Sequence, residues 1–97
     1  MVKLISITQS DKPDKKLVAK FQTDTGRTRS VHFGASGMDD YTKTHNKEQR
    51  DRYRTRHAKD LQTHDPTRAG FLSYYILWGN STSLQTNIAA YKRQFNL

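Results

Sequence analysis

Between residues 47 and 59 the chain carries Lys47, Arg50, Arg52, Arg54, Arg56 and Lys59 against only Glu48 and Asp51, a local excess of positive charge. Cations at that density suit the phosphates of a nucleic acid or the carboxylates of an acidic protein surface. They equally suit a solvated face whose charge keeps a small protein soluble. At about 100° per residue the six spread around a helical cylinder, with Arg50, Arg54 and the small Ala58 along one face. Reading bases in a groove calls for Asn, Gln or Ser at the contact positions, and a helix-turn-helix calls for an apolar helix just before it. A strand-like segment stands there instead.

The remaining reactive side chains form no recognised constellation. His57 and His64, with Asp60 between them, share a face only if the helix runs that far, and neither H-E-x-x-H nor another compact metal-ligand spacing occurs. Gly34 and Gly37 lack the phosphate-cradling patterns, and their neighbours Asp39 and Asp40 are negative, so these carboxylates are expected to answer the Arg-rich helix. There is no cysteine, hence no disulfide, thiolate metal site or thiol nucleophile, and no serine sits in a nucleophile elbow. The expectation is a protein that is not an enzyme and needs no cofactor or metal.

Ninety-seven residues with a net charge of +8 and 33% hydrophobic side chains hold one modest core. A single domain over 1–97 is expected. The start, Met1 to Ile7, has no apolar stretch of export-signal length, and no run approaches the roughly 20 apolar residues of a membrane-spanning helix. A soluble, non-secreted protein with acidic partners is expected.

The elements that must position the basic segment are readable from periodicity. Ile5 and Ile7 alternate with polar or small neighbours over residues 3–9, Leu17, Ala19 and Phe21 over 15–23, and Arg29, Val31 and Phe33 over 27–33, which predicts a three-stranded antiparallel meander. Pro13 breaks the first connection, and Asp24-Thr25-Gly26 forms the second. Residues 34–45 predict a loop in which Tyr41 packs on the sheet edge. Asn46 with Gln49 suits a capping box opening a helix from Lys47 to Leu61, whose narrow buried stripe is Tyr53, His57 and Leu61. Asp65-Pro66 predicts the cap and first position of a second helix. Phe71 to Trp78 is apolar on nearly every side and should run under the sheet, with Gly79 ending it at a left-handed position. Thr82 with Gln85 predicts the cap of a third helix, where Leu84, Ile88, Tyr91 and Phe95 share one face. The fold class is α+β, a meander packed against about three C-terminal helices.

An ordered set of short motifs runs through the chain: Phe33-Gly34-x-x-Gly37, Asp40-Tyr41-Thr42, Arg50-x-x-Tyr53-x-x-Arg56-His57, and Asp65-Pro66-Thr67-x-Ala69-Gly70-Phe71-Leu72-Ser73-x-Tyr75-x-Leu77-Trp78. In these motifs, over roughly residues 17–95, the chain resembles a family of small basic proteins of large nucleocytoplasmic DNA viruses, among them chloroviruses and mimivirus-like viruses. The resemblance implies a virus-encoded, non-enzymatic protein, a minor component of the capsid shell or virion interior, found in the virion or in the host cytoplasm or nucleus. It carries over no catalytic residue. The expected function is structural, with Lys47, Arg50, Arg52, Arg54, Arg56 and Lys59 meeting an acidic capsid or virion protein. The alternative is nucleic-acid binding without sequence preference through the same helix.

Overall fold

In the computed structural model, which describes residues 2–97, three strands form an antiparallel sheet in the order β1 (Lys3–Gln9), β2 (Lys15–Gln22), β3 (Thr28–Ala35). Ala19 lies opposite Ile7 on one side and Val31 on the other, and Leu17 opposite Phe33, so the alternating apolar residues share one face. The connection at Asp24–Gly26 closes as expected: Thr23 N–H donates to the Arg27 carbonyl at 2.8 Å, and Gly26 supplies a φ of +83°. At the start of β1 the alternation differs from the expected one. A register slip between Leu4 and Ser6 makes Ile5 the extra residue of a bulge and leaves it 52% exposed, while Leu4 and Ile7 take the core-facing places.

Gly34 ends the regular part of β3 with a φ of +80°, and a Cβ there would lie 2.6 Å from Leu77 Cδ1. The glycine therefore admits both the turn and the close approach of the central helix. The following segment, expected to be loop, contains a short helix, α1 (Tyr41–Thr44). Tyr41 is buried and belongs to the core cluster. Asp40 is also buried; it accepts from Lys16 Nζ on β2 at 2.6 Å and from Thr42 Oγ1. Its charge is answered from the sheet, not by the Arg-rich helix, because burial demands a partner within direct hydrogen-bond reach.

α2 (Lys47–His57) starts at the expected cap, with Asn46 Oδ1 accepting the Gln49 N–H at 3.0 Å. It does not stay α-helical to Leu61. After His57 the chain tightens into a 3₁₀ helix (Ala58–Thr63), which brings Asp60 against the His57 ring and ends at a left-handed His64. Asp65 then closes a turn of its own instead of capping the next helix: its side chain accepts the Thr67 N–H at 3.0 Å and the Thr67 hydroxyl at 2.6 Å. α3 (Ala69–Leu72) begins only after Arg68 and widens at once into a π-helical turn (Ser73–Leu77), with Trp78 N–H bonded to the Ser73 carbonyl. Phe71, Leu72, Ile76, Leu77 and Trp78 are buried, as the all-round apolar pattern required.

Gly79 acts through space, not through a left-handed φ. A Cβ there would sit 2.2 Å from the Tyr75 carbonyl and 2.8 Å from the Asn87 side chain. Ser83, one residue later than expected, caps α4 (Leu84–Gln94), accepting from the Thr86 N–H. Asn87 fixes that register: buried, it donates to the Ile76 and Ser81 carbonyls at 2.9 and 2.8 Å and accepts from the Ser81 N–H at 3.0 Å. Leu84, Ile88, Tyr91 and Phe95 face the core, joining Phe21, Phe33, Leu72 and Ile76 in one α+β packing unit.

Candidate binding face and cleft

The six cations of the basic segment divide into two groups. Arg50 and Arg54 turn towards the body of the protein. The Arg50 guanidinium lies 4.7 Å from the centre of the Tyr41 ring and bonds Asp51 at 3.1 Å. Arg54 donates through Nε to the Trp78 carbonyl at 2.8 Å and through Nη2 to Asn80 at 3.0 Å, so it fastens α2 to the end of the π turn. Burial, followed by the nearby Arg50 charge, pulls Arg54 below the ordinary guanidinium value. The Arg54 guanidinium also lies 5.7 Å from the centre of the Tyr74 ring, and these contacts make the two arginines parts of the fold.

Lys47, Arg52, Arg56 and Lys59 are exposed and form no ion pair among the described residues. Arg52 and Arg56 are four apart on α2, and Lys59 follows on the 3₁₀ helix, which brings these three to one side. Lys47 stands apart at the helix start.

Beside that side lies a cleft of about 580 Å³ between the Gly34–Asp39 loop and the α2–α3 wall. Its floor is Phe33, Leu77 and Trp78, and its rim includes Lys15, Arg56 and the 62% exposed Met38. One wall is a stack of rings. Tyr53 is sandwiched between Trp78, 4.4 Å away at 11°, and His57, 4.1 Å away at 22°. Burial, reinforced by Asp60, raises the Tyr53 phenol, and Ser73 offsets part of this by hydrogen bonding. Asp60 bonds His57 Nδ1 at 3.0 Å, whereas the exposed Asp39 on the loop side has no bonded partner among the described residues.

The histidines do not converge. His64 is exposed beyond the 3₁₀ helix, His45 caps α1, and His32 bonds Ser10 on the far side of the sheet. Among the described residues no three metal-ligating side chains gather. The sequence offered Tyr53 with His57 as one buried stripe and His57 with Asp60 as one reactive set; their meeting with Met38, Lys15 and the π turn depends on long-range packing, which leaves no local sign.

The structure is thus a small α+β domain that carries an open cationic face next to a partly apolar cleft. The chain belongs to a family of unknown function (DUF5754), whose model matches residues 5–57. That match takes in the sheet from Ile5 onward, α1 and α2, with Arg52, Arg56, Tyr53 and His57, and ends before the 3₁₀ helix. No curated protein and no solved structure matches the chain.

Proposed function

We propose that the chain is a non-catalytic binding protein whose Arg52, Arg56 and Lys59 face meets an acidic surface of another protein. The observation that carries this reading is the division of the cations: three share one open side and form no ion pair among the described residues, while Arg50 and Arg54 are held by the fold. Free cations on one face favour an anionic partner and raise the rate at which it is encountered. The aromatic rings favour protein over single-stranded nucleic acid. Stacking platforms for bases need exposed ring faces, whereas Tyr53 is covered on both sides and Trp78 is 7% exposed. In the setting implied by the viral resemblance, the partner is a neighbouring protein of the particle.

Titration of the purified protein with a glutamate-rich peptide and with duplex DNA at several salt concentrations tests this. Saturable peptide binding, lost in Arg52→Glu/Arg56→Glu/Lys59→Glu, is expected, with negligible DNA binding near physiological salt. Micromolar DNA binding whose logarithm falls with log salt by about 0.9 per phosphate contact, and which the triple variant abolishes, would replace this reading with nucleic-acid binding.

A further inference from the structure

We infer that the cleft bounded by Phe33, Met38, Tyr53, Arg56, Leu77 and Trp78 receives a bulky apolar side chain from a protein segment whose flanking residues are carboxylates. This rests on the proposed acidic partner and names the part of it that enters the fold.

The volume of about 580 Å³ lies within the range of small-ligand pockets and leaves room for a bulky side chain together with part of its flanking chain. Apolar floors in such pockets supply the energy of anchoring, and a polar rim sets orientation. Here the floor is aromatic and aliphatic, and Met38 stands at the mouth with 62% of its surface exposed, an adaptable side chain able to fold over an inserted group.

Charge selects the occupant. Arg56 belongs both to the cleft rim and to the open cationic side that continues through Arg52 and Lys59. A second copy of this chain, itself at +8, would bring like charge to that rim. A polynucleotide would meet the cations but has no use for the apolar floor, and Tyr53 has no free face for a base. An acidic segment with one large apolar residue satisfies both halves of the site. Two carboxylates also line the cleft. Asp60 is already bonded to His57, so the one without a bonded partner among the described residues is Asp39, which opposes the ligand's charge from the loop side.

The test measures binding of two peptides, Glu-Asp-Phe-Asp-Glu and Glu-Asp-Ala-Asp-Glu, to the full chain, with the emission of Trp78, the only tryptophan, as reporter. The Phe peptide is expected to bind about tenfold or more tightly than the Ala peptide, in line with the burial of one aromatic side chain, and to shift the Trp78 emission. Met38→Gln, which removes the apolar contact at an exposed rim position without adding charge, should weaken the Phe peptide several-fold while leaving the Ala peptide little changed. Asp39→Asn should strengthen both. Should Met38→Gln unfold the chain, Asp39→Asn and the two-peptide comparison still decide the matter. Equal binding of the two peptides, with loss of both in Arg52→Glu/Lys59→Glu, would overturn the cleft inference and leave the acidic-surface reading standing. Binding of neither peptide would overturn both.

Discussion

Asn87 shows how much one polar side chain can hold in place. Its amide satisfies two carbonyls and one N–H at the junction of the π turn, the Ser81 loop and α4, and it is only 4% exposed. Replacing it by Ala leaves three backbone groups to find new partners in a place with little water. Asn87→Ala should therefore cost about 2–3 kcal/mol in denaturant unfolding, more than a simple loss of contact area would. Tyr91 offers a pH test of the same kind. Its hydroxyl donates to the Pro66 carbonyl, and burial, followed by Tyr75 and Asp65, raises its ionisation well above the ordinary value of 10. The folded chain thus keeps a proton that the unfolded chain releases above about pH 10, so stability present at neutral pH is lost as pH rises past that point. Tyr53, also raised by burial, adds to the fall. In alkaline unfolding titrations Tyr91→Phe should flatten this decline, while lowering stability at neutral pH by about 1 kcal/mol for the missing hydrogen bond.

At the scale of elements, the central helix depends on a glycine for closeness of approach. With Tyr75 O 2.2 Å from where a Cβ would stand, Gly79→Ala must push the helix end away from α4 or distort it, and a loss of about 3 kcal/mol in chemical denaturation is expected. Arg54→Gln should also destabilise, by about 1–2 kcal/mol, because it removes a charged donor from the Trp78 carbonyl. These two residues mark the boundary of what the sequence discloses. Period-two and period-four patterns come from which side of an element is buried, so the meander, the narrow Tyr53–His57–Leu61 stripe and the apolar Phe71–Trp78 run could all be read directly. Ile5 could not be placed, because a bulge shifts the register without altering composition. The start of α3 moved to Ala69 because Asp65 found Thr67 sooner than it found a helix end. Arg50 and Arg54 looked like their exposed neighbours, since the same guanidinium serves a ring face, a carbonyl or a distant anion. The cleft was equally hidden, for its lining comes from β2, β3, α2 and α3, joined only by the fold.

For the molecule as a whole, the division of cations predicts opposite responses to similar substitutions. A chain with 17 Lys and Arg against 9 Asp and Glu repels itself when it folds, because compaction brings like charges together. Arg52, Arg56 and Lys59 contribute to that repulsion, are exposed and form no ion pair among the described residues, so their removal takes away repulsion without removing support. Arg52→Ala/Arg56→Ala/Lys59→Ala should thus leave unfolding free energy within about 0.5 kcal/mol per site, shifted towards greater stability at low ionic strength. Added salt screens the repulsion over a Debye length of about 10 Å at 0.1 M, so the unmodified chain should gain melting temperature with salt and the triple variant should gain less. Thermal unfolding across a salt series reads both effects. A triple variant that melts well below the unmodified chain at every salt concentration would show that these cations belong to the fold, as Arg54 does, and that the open face is not reserved for a partner.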